Sequence, residues 1–390
     1  MTVVTIHCRL IASESNRHQI WNLMADKNTP MVNEILRFLS EDEDFESWCE
    51  EGKLPKGLVN KICNNLKNQS RFKDQPGRFY SSAITLVEYM YKSYLRTQRQ
   101  RYLQLNGHKR WFQMLKSDSE LKQEAGCSLT NIRKTAKSWL KQHQKCEDLK
   151  QNLFDSYDST EDIQTKTAMI YLLKNGCRIP TKPEDIKQFN KRKRKVQIKI
   201  ERLQKRITDS IPPIGRELTS EKWLDILKTA CECIPKSNEE AKQWQDQLLR
   251  QPKSAVPYPV IFNTNEDLKW SKNKNGRLCI TFNGLSKKGL VFEVYCDQRQ
   301  LKWFQRFYED QEVKRKGKNQ HSSALFTLRS GMILWRENEG KKEPWTNNHL
   351  ALYCSFETKL ETLEGTKIIR EQKTEEVKKT INNTKKNGYP

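Results

Sequence analysis

Residues 3–10, VVTIHCRL, set Val4, Ile6, Cys8 and Leu10 against Val3, Thr5, His7 and Arg9. That period of two predicts a half-buried strand. A lone strand does not stand in water, so this one needs a sheet elsewhere in the chain. From about 13 to 250 the apolar positions recur at helical spacing. Thr29-Pro30 reads as an N-cap and first helical position, followed by Val32, Ile35, Leu36 and Leu39. Tyr80, Ala83, Ile84, Val87, Tyr91, Tyr94 and Leu95 predict another long helix. The acidic stretch EDEDFESWCEE (41–51) is expected as a solvated turn and helix face. The polar segment 146–162 predicts a lobe boundary, and IPPIGREL (211–218) a second hinge.

After Pro257 the texture changes to short strands: PVIF, DLKWSKN, RLCITFNG, LVFEVYC, ALFTLR, MILWRE and LALYCSF. Asn275-Gly276 between two of them predicts a hairpin. Six or seven short strands suggest a barrel or sandwich, and the strand at 3–10 most economically completes it. The predicted class is α+β, with a helical insertion splitting a β domain. The expected segments are 1–12 (first strand), 13–150 and 151–252 (helical), 253–365 (barrel) and 366–390 (charged helix or tail).

Composition narrows the partner. Lys and Arg outnumber Asp and Glu by 71 to 48 over 390 residues, giving a net charge of +23 and a pI near 9.5. An excess of that size points to a polyanion, first of all nucleic acid. No apolar run approaches the ~18 residues that span a bilayer. The N-terminus lacks the pattern of a signal peptide, so a cytoplasmic location is expected. The eleven cysteines contain no CxxC pair, and free buried thiols are the economical reading.

No motif for catalysis, cofactor or metal emerges. P-loop, GxGxxG, GxSxG and HExxH patterns are absent from the sequence, and the six histidines are dispersed. Two cationic stretches remain. In FNKRKRKVQIKIERLQKRI (189–207), Arg192, Lys195, Lys199, Arg202 and Arg206 form one helical stripe beside Val196, Ile200, Leu203 and Ile207. In the window 299–323, Lys302 and Arg306 share a helical face, with Leu301, Phe304 and Tyr308 able to pack underneath. VKRKGKNQHSS is then expected to leave the helix as a basic loop carrying Lys314, Arg315, Lys316 and Lys318, bending at Gly317 and reaching His321. The aromatics Trp303, Phe304, Phe307 and Tyr308 suit either a core or a stacking platform.

Several long stretches resemble the type V-K CRISPR effector family, the RNA-guided, nuclease-inactive component of cyanobacterial CRISPR-associated transposons. They are RLIASESNRHQIWNLMADKNTPMVNEIL, GKLPKGLV, DQPGRFYSSAI, YLLKNGC, KRKRKVQIKIERL, TNEDLKWSKNKNGRLCITFNGLS and QRQLKWFQRFYEDQEVKRKGKNQHSSALFTLR. The resemblance implies a wedge domain, a split oligonucleotide-binding-type barrel, interrupted by a helical recognition lobe. Family members continue into a degenerate RuvC-like domain, which is expected to be missing from this chain. The implied partners are a guide RNA (crRNA with tracrRNA), target double-stranded DNA, and the element's AAA+ regulator, transposase and adaptor. No cofactor is implied. The resemblance assigns the cations of the 299–323 window and His321 to the guide scaffold. It places Arg78 in QPGRFY and Thr264 in FNTNED against the PAM duplex. An active type V nuclease and a generic RNA-binding protein are the rival readings.

Overall fold

The structure is a computed structural model and describes residues 2–143, 147–218, 228, 232–250, 256–262, 267–282, 289–316, 327–336, 348–358 and 363–386. It is a mixed α+β protein built on a curled antiparallel sheet. The strands are β1 (Thr2–Ile11), β2 (Val260–Phe262), β3 (Leu268–Lys272), β4 (Leu278–Phe282), β5 (Leu290–Tyr295), β6 (Thr327–Arg336) and β7 (His349–Thr358). The helices are α1 (Glu14–Asn22), α2 (Thr29–Ser40), α3 (Phe45–Glu51), α4 (Leu58–Lys67), α5 (Gly77–Met114), α6 (Asp118–Ala125) and α7 (Leu129–Gln142). They continue as α8 (Leu149–Ser159), α9 (Ile163–Lys174), α10 (Ile186–Thr208), α11 (Asn238–Arg250), α12 (Gln298–Lys316) and α13 (Leu363–Lys386).

The seven strands lie in the order β2-β6-β7-β1-β5-β4-β3. The N-terminal strand therefore does complete the later sheet. It pairs with β7 from Thr2 to Leu10, and with β5 only from Arg9 to Ile11. Where β5 has parted from β1, α12 takes over, and the His7 N–H donates to Gln300 Oε1 at 2.9 Å. The sheet curls strongly. β2 and β4 are five strand spacings apart in that order, about 24 Å if the sheet were flat. Yet the rings of Phe262 and Phe282 meet edge to face with centroids 6.1 Å apart. The enclosed core collects the inward residues Ile6, Cys8, Leu10, Phe292, Leu352 and Phe356. Phe304 and Phe307 of α12 fill it from within, with Phe307 4.6 Å from the Phe356 ring and 5.2 Å from Trp270. These aromatics are core, so the stacking alternative for Phe304 and Phe307 fails.

The expected hairpin joins β3 to β4. Gly276 has φ +73°, and the Asn273 side chain accepts from the N–H groups of Asn275 (3.0 Å) and Arg277 (2.9 Å). Two expected strands, ALFTLR and MILWRE, merge in the single strand β6, with a pairing irregularity between Leu328 and Ser330. Gly331, in the gap between the two expected strands, is a point of close approach: a Cβ there would overlap the Phe262 ring. The basic loop also begins later than expected. α12 runs through Lys316, so the backbone of Lys314, Arg315 and Lys316 is helical. Lys318, His321 and the bend at Gly317 lie outside the described residues.

Thr29 is no N-cap. The helix passes from α1 through a π turn (Leu23–Asn28) into α2, with Thr29 itself helical and its N–H on Met24 O. The wider turn accommodates Pro30, whose ring and missing N–H would disrupt an unbroken α-helix. The Thr29 side-chain oxygen instead accepts the Tyr258 N–H at 2.9 Å. In the acidic stretch, Trp48 and Cys49 of α3 are buried, so only part of it is solvated.

The chain forms two compact units. One comprises residues 1–48, 53–94 and 211–390 and contains the sheet; the other comprises 49–52 and 95–210. The second unit ends at Ser210, next to the segment 211–218 where the sequence predicts a hinge. The boundary expected at 146–162 is not there, because Leu153 of α8 shares a core with Ala136 of α7 and Tyr171 of α9. No described helix is long and apolar enough to cross a membrane. Among the described residues the cysteines are free, with Cys8, Cys49, Cys63, Cys279 and Cys354 buried. Burial pushes the Cys63 thiol up to about 11 and raises Cys8 and Cys354 as well.

Because α12 fills the sheet through its phenylalanines, Phe304→Ala should cost about 3–5 kcal/mol. Denaturant unfolding checks this, with the lost stability appearing as a lower midpoint at an unchanged slope.

Candidate nucleic-acid interface

In the second unit, α10 starts from a fixed point. Asp185 caps it, its side chain accepting from Lys187 N (2.9 Å) and Gln188 N (3.2 Å). Just before the cap, Glu184 receives Lys174 Nζ at 2.8 Å, and the same ammonium meets Asp118 at 2.5 Å. Lys174 is only 3% exposed, so α9, α6 and the start of α10 share one buried ion cluster. Removing one partner from such a cluster leaves an uncompensated charge, which costs several kcal/mol.

All five stripe residues, Arg192, Lys195, Lys199, Arg202 and Arg206, are exposed. None makes an ion pair among the described residues. Arg192 to Arg206 spans fourteen residue steps of helix, about 21 Å. That length matches roughly six phosphates of one strand at about 3.4 Å each. The neighbouring Val196, Ile200, Leu203 and Ile207 are half-buried rather than deep in a core. Lys193, on the inner side, is engaged in structure: its ammonium is 3.6 Å from Glu120 and 5.7 Å from the Phe112 ring centroid. The helix thus sorts its cations into one inner tether and an outer row that faces water.

At the C-terminal end of α10 the row widens into an open cavity of about 380 Å³, lined by Arg101, Arg202, Lys205, Arg206, Asp209 and Ser210. Four cations face one carboxylate there. A helix C-terminus by itself repels anions. Arg101 offsets this by donating from Nη1 to Arg206 O (3.2 Å) and to Ser210 Oγ (3.1 Å). Gln98, 2% exposed, donates to the same Ser210 oxygen. The sequence pattern does not single out Arg101. Its signal is Gln98, a polar residue continuing the buried register Tyr91, Leu95 on α5.

The other predicted positions lie in the sheet-bearing unit. Lys302 is exposed, with no ion pair among the described residues. Arg306 is half-buried and shares Glu309 with Arg370, at 3.4 and 3.2 Å. Only part of its charge is left for a ligand. Arg78, in the first turn of α5, puts Nε 2.5 Å from Asp267 Oδ2, in charge contact without hydrogen-bond alignment. Thr264 lies outside the described residues, three positions before Asp267. No group of three or more His, Cys, Asp or Glu that could hold a metal ion occurs among the described residues. No protein-family model matches the chain, and no curated protein matches it.

The outer row of α10 is the stronger candidate for a polyanion surface on these grounds: regular spacing, exposure of all five residues and no ion pair among the described residues. Each phosphate contact removed should flatten the slope of log affinity against log salt by about 0.9 for duplex and about 0.7 for single strands. Replacing Arg202, Lys205 and Arg206 together by Ala should therefore lower that slope by roughly two to three if all three reach phosphate. Salt-titrated binding of a fluorescent duplex, with thermal unfolding as control, checks both the loss and the intact fold.

Proposed function

We propose that this chain is the recognition half of an RNA-guided, PAM-dependent DNA-binding protein that directs transposon insertion without cutting. The observation that carries its nucleic-acid part is the row of exposed cations on α10, which have no ion pair among the described residues. The resemblance to type V-K CRISPR effectors supports the narrower reading. So does a β1 that joins its sheet only after a long helical insertion. On this reading the curled sheet is the split oligonucleotide-binding barrel of a wedge domain, and the inserted helices are the recognition lobe.

Sequence specificity is then delegated to base pairing with the guide, while the protein grips backbones by charge and reads a short PAM. The α10 row and its terminal cavity hold phosphates of the guide–target heteroduplex. Lys302, Lys314, Arg315, Lys316, Lys318 and His321 hold the guide scaffold, with Arg306 contributing beside Glu309. The AAA+ regulator, transposase and adaptor of the element engage the complete protein.

Arg78 has a geometry suited to PAM reading. The atom against Asp267 is Nε, which leaves the two terminal nitrogens as a fork. Arg binds guanine O6 and N7 through such a fork, and the Asp267 carboxylate beside Nε holds the guanidinium nearby by charge. Thr264 completes the reader with a methyl that packs on thymine.

Two experiments on the complete protein test this reading. With guide RNA, matching DNA and magnesium, binding should depend on guide–target complementarity and the DNA should stay intact. Guide-independent binding or metal-dependent nicking overturns it. In a PAM-library selection, Arg78→Ala should relax preference at one base pair at a cost of about 1–3 kcal/mol. Asp267→Ala should blur the same position less. Uniform weakening across the library would make Arg78 a backbone contact, and an unchanged profile would remove it from the interface.

A further inference from the structure

The outer face of the sheet carries features that none of the assignments above uses. Val3, Thr5, His7, Arg9 and Ile11 of β1 alternate with the buried residues of that strand. The pattern repeats at Val291, Glu293 and Tyr295 of β5 and at His349, Tyr353, Ser355 and Glu357 of β7, where Ala351, on the same face, is covered. The register places Arg9 directly between Tyr295 and Ala351, and His7 opposite Tyr353. His7 and Tyr353 are stacked, with ring centroids 5.3 Å apart and planes within 19°. The Arg336 guanidinium lies 5.2 Å above the Tyr353 ring. One row along, Tyr295 is 63% exposed, and Val3, Ile11 and Val291 also present apolar surface. Rings, small apolar side chains and arginines therefore share one face.

The charge on this corner is positive. Arg9 has no ion pair among the described residues. Arg17, from α1, reaches the β7 end and donates to Asn348 O at 2.7 Å. Burial, followed by the charges of Arg9, Arg336 and Arg17, holds the His349 imidazole below its usual range, so three guanidinium groups converge there. Two acids sit on the same face. Glu293 is engaged by Asn273 (2.9 Å) and Arg277 (3.3 Å), and Glu357 stands at the far end opposite Val3.

We infer that this outer face of β1, β5 and β7 binds an unpaired nucleotide of a single strand, its base stacking on Tyr295 beside the His7–Tyr353 pair while Arg9 and Arg336 take the adjoining phosphates. Flat exposed rings flanked by arginines suit bases because every base has a π-face and every linkage a negative charge. A duplex hides its bases and would use only the arginines. The inference rests on the nucleic-acid reading of this chain, but it specifies a strand class and a surface separate from α10.

The test uses the complete chain with three probes of equal length: an oligouridine RNA, the corresponding thymidine DNA, and an abasic phosphodiester strand. Tyr295→Ala should weaken binding of the base-bearing strands about 5- to 150-fold, the range for losing one stacked base. It should leave the abasic strand unchanged, and Tyr295→Phe should restore affinity. Arg9→Ala should weaken all three. The tighter of the RNA and DNA arms identifies the source of the strand. Equal losses on base-bearing and abasic strands, or no loss on either, overturn the stacking face. If the wild-type chain binds none of the probes, the nucleic-acid reading itself fails. If it binds all three and only the α10 triple variant changes them, that reading stands and this inference falls. Tyr295 is exposed, and unchanged thermal unfolding of its variants excludes misfolding as the cause.

Discussion

The pairing of β1 on both its edges is the constraint from which the rest of this architecture follows. Its left neighbour is β7 and its right neighbour β5, so residues from the start of the chain are locked between strands that come after residue 289. The chain between β1 and β2 must leave the sheet and return to it. A helical insertion satisfies that demand, because each helix pairs its own backbone and needs only one apolar face against a core. The insertion also determines how the sheet is finished. β5 stays with β1 for only three residues, and the exposed part of the β1 edge is met by α12 rather than by another strand. That helix brings Phe304 and Phe307 into a curl too tight for a flat sheet, so the curl and the helix docking depend on each other.

Strand identity and the split topology are legible in the sequence because both rest on local alternation. VVTIHCRL alternates cleanly, and an unpaired strand has to find a sheet. The errors fall where a residue's role is set by a distant partner. ALFTLR and MILWRE read as two strands, but the gap between them falls inside β6, and only the position of Phe262 reveals that Gly331 there is a contact point. Thr29 has the chemistry of a cap, and only Tyr258 shows that its oxygen is used elsewhere. Residues 146–162 are polar enough to read as a linker, yet Leu153 and its neighbours are sufficient to anchor α8.

The same limit separates what was legible in the candidate site. The α10 stripe follows from helical geometry alone, and the structure keeps all five residues exposed. Arg101 and Asp267 join their neighbours only through folding, and no spacing rule connects either to its partner. Cation counting also overstates the window at 299–323. Phe304 and Phe307 are consumed by the core, and Arg306 is tied to Glu309.

A net charge of +23 says little by itself about where a polyanion binds. What discriminates is how the fold spends its cations. Lys174 is sealed between two carboxylates, Lys193 is held by Glu120, and Arg370 braces Glu309. These charges stabilise or position elements and have little left to give a ligand. The outer row of α10 and Arg9 have no such carboxylate among the described residues. Holding like charges together in water costs only fractions of a kcal/mol per pair, because solvent and salt screen them. The arrangement becomes favourable when a phosphate chain supplies the missing anions and releases its own counterions. Cations without an ion pair among the described residues on a regular element, beside others carefully paired within the same fold, are therefore the surface where, under the proposed function, a polyanion would complete the electrostatics.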